Sequence, residues 1–89
     1  MTLRITVIAP GTPTTVKVDG RLTSDEVPEL RRVCAEVAGR LVLDLSDLAS
    51  ADRQGVSVLR ELRAKGADFV GVSPFVQILL DRQSHDAAN

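Results

Sequence analysis

The residues of this 89-residue chain that could do chemistry are few, and they cluster around one short segment. Asp52-Arg53-Gln54-Gly55 stands at the head of a run with helical spacing. Arg53 is the unusual member. A cation at the start of a helix faces the positive end of the backbone dipole, at a cost of roughly 0.3–1 kcal/mol. A residue that breaks a local rule is a candidate for function. Two readings of Arg53 stay open: a fixed contact for an acidic partner, or a tolerated surface cation. Arg53, Ser57, Arg60 and Ala64 follow at helical intervals and define one stripe. Over Asp52–Lys65 four cations face two anions, whereas Ser24–Ala38 carries two cations and four anions. The second segment is therefore either a partner surface whose charge steers encounter or an ordinary solvated face.

Catalysis finds little support. There is one histidine, His85, in a polar tail, and one cysteine, Cys34, on an apolar helical face. With the carboxylates as spaced, they make no metal site. The phosphate-binding pattern Gly-x-x-x-x-Gly-Lys is absent. Asp44 ends an apolar run without a neighbouring His or Lys, which points to a structural role. The expectation is a non-enzyme with no cofactor.

The elements that must position the segment follow from periodicity. Leu3, Ile5 and Val7 alternate with Arg4 and Thr6, as in a half-buried strand. Pro10, Gly11 and Pro13 break it, and Val16 and Val18 alternate again up to Gly20, which predicts a hairpin. Val27, Leu30, Cys34, Val37 and Leu41 then recur three or four apart. Pro28 must lie in the first turn, so this helix is expected to start near Asp25 or Glu26 and to end at Gly39. Leu41-Val42-Leu43-Asp44-Leu45 is nearly continuous apolar sequence, expected to be a strand covered on both faces. Asp52–Lys65 is helical with Val56, Leu59 and Leu62 inward and Gly66 just past its end. Phe69, Val70 and Val72 read as another buried strand. Ser73 caps a last helix that opens on Pro74 and turns Val76, Leu79 and Leu80 inward. The order is β-β-α-β-α-β-α, an α/β domain with a mixed sheet covered by helices. Residues 1–83 form the domain, and 84–89 read as a frayed polar tail.

Five fragments in this order carry a family resemblance. They are Val18-Asp19-Gly20-Arg21-Leu22, Pro28-Glu29-Leu30-Arg31, Leu41 through Ser46, Ala51-Asp52-Arg53-Gln54-Gly55, and Ser73 through Leu80. Together they resemble a STAS domain, the fold of sulfate-transporter tails and bacterial anti-sigma-factor antagonists, over about residues 14 to 81. The resemblance implies a binding module whose Asp-Ser-Ser/Thr-Gly loop is the working surface. In that family the first hydroxyl residue accepts a phosphate from a partner kinase, and the added charge of about −1.5 to −2 releases the partner. Here Asp52 and Gly55 match, but Arg53 stands at the phosphoacceptor position and Gln54 replaces the second hydroxyl residue. Neither can be phosphorylated on oxygen. Thr23 stands where the family commonly has Asp. Ser50 and Ser57 flank the loop as candidate displaced phosphosites. The chain reads as a compact or C-terminally shortened member. Its last strand would then offer an open edge for a partner or a second copy, giving a possible homodimer.

Composition narrows the partners. A net charge of −1 with mixed signs gives no basic surface for nucleic acid. Two phenylalanines, Phe69 and Phe75, make no base-stacking platform. The N-terminal apolar stretch is too short for membrane insertion or a signal core. A single cysteine fits a reducing compartment, so a cytoplasmic protein is expected. The expected partner is a protein reached through Asp52, Arg53, Gln54, Gly55, Ser57 and Arg60. It is either an anti-sigma or kinase-like regulator, with this chain as anti-sigma-factor antagonist, or the ATPase of a lipid-transport ABC system.

Overall fold

The computed structural model describes residues 3–9, 11 and 13–88. Strands β1 (Leu3–Ala9) and β2 (Thr14–Leu22) form the expected antiparallel hairpin, with Ile5 opposite Val18. Helix α1 (Val27–Ala35) follows, then β3 (Leu41–Asp44) and β4 (Leu48–Ala51), α2 (Arg53–Ala64), β5 (Asp68–Val70) and α3 (Pro74–Ala88). The sheet runs β1-β2-β3-β5 and is mixed, since β3 pairs in parallel with both β2 and β5.

β4 is a strand that periodicity missed. Leu48-Ala49-Ser50-Ala51 has one large apolar residue and no alternation to detect. It becomes a strand by pairing with the far half of β2, Gly20 through Leu22, while β3 occupies the near half, Thr14 through Lys17. A tight turn joins the two. Asp44 Oδ1 accepts from the backbone N–H and the hydroxyl of Ser46, at 3.0 and 2.7 Å. Leu48 N–H then donates to the Leu45 carbonyl. Gly71, at φ +68°, lies so close that a Cβ there would come within 2.8 Å of Ser46 Cβ. The end of β5 and the β3–β4 turn are thus packed backbone to backbone.

One core lies on one face of the sheet. Val16, Val18 and Leu22 of β2, with Leu43 of β3 and the adjoining Leu45, meet Leu30, Val58, Leu59, Val76 and Leu80 from the three helices. The outward residues Lys17, Asp19, Val42 and Asp44 are half-buried and Arg21 is exposed. This corrects the expectation that β3 is covered on both faces: its inward leucines are buried while Val42 and Asp44 are not. The strand is apolar in both phases, but only one phase meets the helices.

Two further boundaries differ from expectation. α1 ends at Ala35, with Glu36 as its C-terminal cap residue, so Val37 and Leu41 leave the helix. Their spacing matched a helical face by coincidence, because Leu41 pairs with Thr14 in the sheet. β5 is a three-residue edge strand with Phe69 half-buried and Val70 exposed. The Arg63 guanidinium sits 6.0 Å over the Phe69 ring, at the outer limit of useful cation–π attraction. Val72 lies beyond the strand. The capping of α3 by Ser73 is as expected, with Val76 N–H donating to its hydroxyl at 3.2 Å. Helical backbone continues through Ala88, across most of the segment read as a tail, and Asn89 lies outside the described residues. Among the described residues no helix is long and apolar enough to cross a membrane.

The central position of Leu43, fully buried in β3, sets a stability test. Leu43→Ala should lower unfolding free energy by about 2–5 kcal/mol in urea titration, whereas Arg21→Ala on the outer face should change it by less than about 0.5 kcal/mol.

Candidate functional site

The head of α2 is held by the two residues that flank its exposed positions. Asp52 has extended backbone and caps the helix: its Oδ1 accepts from Gly55 N–H at 2.8 Å. Its other oxygen, Oδ2, accepts from Ser24 N–H at 2.9 Å, which lies in the turn before α1. The Asp52 backbone N–H donates to the Leu22 carbonyl at the end of β2. One residue therefore joins β2, the α1 entry turn and α2. An N-cap of this kind is worth about 0.5–2 kcal/mol, which outweighs the roughly 0.3–1 kcal/mol cost of placing Arg53 beside it.

Gly55 serves the same joint from the other side. A Cβ at this position would sit 2.5 Å from the Leu22 carbonyl oxygen and 2.9 Å from Leu22 Cγ. No real Cβ tolerates the first distance, so the first turn of α2 can lie against β2 only with glycine here. The spacing Asp-x-x-Gly is thus explained by local geometry: the Asp closes the turn onto the Gly N–H, and the Gly admits the strand.

The two residues between them have no such duty. Arg53 and Gln54 are both exposed, as is Ser57 one turn on, while Arg60 is half-buried. The structure therefore puts Arg53 and Ser57 on the outer stripe that spacing predicted, and Ala64 with them. Gly55 is buried against Leu22 and offers no side chain to a partner. Asp52 is exposed, but both carboxylate oxygens are engaged internally. Ser50 is half-buried on β4 and Ser57 is accessible.

Lower on α2 the charges of the two helices meet. Arg31 of α1 reaches Glu61 of α2 at 2.9 Å, and Lys65 approaches the same carboxylate at 3.5 Å. The Arg31 hydrogen bond holds Glu61 below the usual carboxylate range. Arg32 joins Glu29 and Glu36 along α1, at 2.6 and 3.0 Å. The pair across the helices joins the minority charge of each, so the net positive charge of α2 is not neutralised by it, and Arg53 is the cation nearest the head.

Other candidates resolve into structure. The Asp44 carboxyl is held below its ordinary range by the two Ser46 hydrogen bonds, with Lys17 adding to the effect. It fastens the β3–β4 turn. Cys34 is buried in the core, and burial pushes its thiol up to about 11. Among the described residues no group of three or more His, Cys, Asp or Glu is placed to hold a metal ion. Sequence reasoning missed Phe75 and Ile78, which stand three apart on α3 and are each more than half exposed. Inward periodicity was visible in Val76, Leu79 and Leu80, but nothing in it says that the intervening large residues face solvent.

A family model described as Mlab, STAS domain, matches residues 5–86. The match takes in nearly all of the sheet and the helices, including most of β1, which lies ahead of the fragments that carried the resemblance. Among curated proteins none matches the chain.

The joint around Asp52 and Gly55 makes two tests. Gly55→Ala should destabilise the fold by about 3 kcal/mol in denaturant titration because backbone must move, while Arg53→Ala stays within about 0.5 kcal/mol. Cys34 should be alkylated slowly by iodoacetamide at pH 8 and rapidly once urea unfolds the chain. Because its folded value lies above the unfolded one, its contribution to stability is complete below the unfolded value near 9. That contribution should disappear as pH rises toward 11.

Proposed function

The chain belongs to the STAS domain family, whose domains serve as protein-interaction modules, and on that premise we propose that it docks a protein partner through the exposed head of α2. The observation that carries this is the division of labour within Asp52–Gly55. The outer residues hold the turn, and Arg53 and Gln54 are presented to solvent with no structural task. The Arg53 guanidinium offers donors in a planar fork that suits a partner carboxylate. Ser57 and Arg60 extend the surface along the helix. The module is a non-catalytic, cytoplasmic, anti-sigma-factor-antagonist type of bacterial partner-switching regulator. Its binding is constitutive, because residue 53 carries no hydroxyl to phosphorylate.

A second reading is an accessory subunit seated on the ATPase of a lipid-transport ABC complex. Exposed Phe75 and Ile78 favour it, since permanent interfaces are more apolar than transient ones. A permanent subunit also has no need of a switchable residue 53.

Affinity capture with the intact chain separates the two: one recovers a sigma-factor regulator, the other a transport ATPase. In either case Arg53→Glu combined with Arg60→Glu should weaken the complex by about tenfold or more, with circular dichroism confirming the fold. Unchanged affinity would remove α2 from the interface. Incubation with a cognate kinase and ATP should leave the intact mass unaltered; one added phosphate at Ser50 or Ser57 would end the constitutive version.

A further inference from the structure

The core is not sealed equally everywhere. Among the described core residues, six retain more than 5% exposure, and four of these, Cys34, Leu41, Leu62 and Ala67, line one cavity. It lies between the ends of α1 and α2, remote from the Asp52–Gly55 turn, and has a volume of about 370 Å³. This falls in the range of small-molecule sites. Val37, half-buried after leaving α1, completes an apolar floor.

The rim is cationic. Arg31, Arg40 and Lys65 border the opening with Glu61 as the one carboxylate among the lining residues. Glu61 is shared between Arg31 at 2.9 Å and Lys65 at 3.5 Å. Arg40 is steadied by Asp68: its Nε donates to Oδ2 at 2.9 Å, and its Nη2 lies 2.7 Å from the same oxygen. The rim cations are not needed to satisfy the end of α2. There Gly66 N–H donates to the Arg63 carbonyl and Ala67 N–H to the Leu62 carbonyl, closing the helix internally.

An apolar floor under a rim that keeps one excess positive charge after Glu61 and Asp68 are counted suits a ligand with an apolar body and one anionic head. We propose that this cavity binds a medium-chain amphipathic monocarboxylate, its chain over Leu41, Leu62 and Ala67 and its head between Lys65 and Arg40. The site is independent of the docking surface on α2.

Octanoate is the probe, with octylamine and octanol as controls for charge and for the chain alone. Backbone amide shifts of Val37, Leu62 and Ala67 in the full chain report occupancy. Octanoate should give saturable shifts at these positions, octylamine none, and octanol binding weaker by about fivefold or more. Lys65→Glu, at an exposed position, should weaken octanoate by about fivefold. Ala35→Phe, on the exposed lip of the cavity, should block it. Absence of saturable shifts, equal binding of octylamine, or indifference to both variants would each overturn the proposal.

Discussion

A close approach between a helix and a strand organises this molecule. The first turn of α2 lies so near the end of β2 that Gly55 has room for no side chain against Leu22. Asp52 ties the same point three ways, with its backbone to Leu22, one carboxylate oxygen to Gly55 and the other to Ser24. Hydrogen bonds to a charged acceptor are roughly twice as strong as neutral ones. Two here converge on one side chain, so the entry turn of α1, the end of β2 and the axis of α2 are set together. The core then completes what this joint orients, because α2 supplies Val56, Val58, Leu59 and Leu62 to the sheet.

The two ends of α2 are built differently. At its head Asp52 and Gly55 are tied to β2 and the α1 entry turn, while Arg53 and Gln54 between them are exposed. At its tail the helix is paired with α1 by Arg31 and Glu61 and closed by Gly66, whose φ of +106° suits the left-handed cap. The surface pairs themselves contribute little energy. Their value is to hold long side chains in place around an opening in the core.

Much of this was legible in the sequence. The hairpin, the three helices and the inward faces of α2 and α3 follow from spacing, and Gly66 and Ser73 announce their caps. The Asp52 cap was visible as a residue type, but its bond to Ser24 spans 28 positions and no local pattern encodes it. β4 was invisible because Leu48–Ala51 is made a strand only by the far half of β2. The end of α1 was misplaced because Val37 and Leu41 keep helical spacing while the backbone has already left the helix. Apolar content in Leu41–Leu45 suggested two covered faces, yet coverage depends on where helices pack, which composition does not state. Phe75 and Ile78 were hidden for the same reason: exposure is decided by neighbours that a single chain of letters does not place.

The exposed pair Arg53-Gln54 has an evolutionary consequence. Because the flanking Asp52 and Gly55 carry the fold, these two sites can drift without threatening it. A hydroxyl could arise at residue 53, or be lost from it, by one substitution that leaves the scaffold intact.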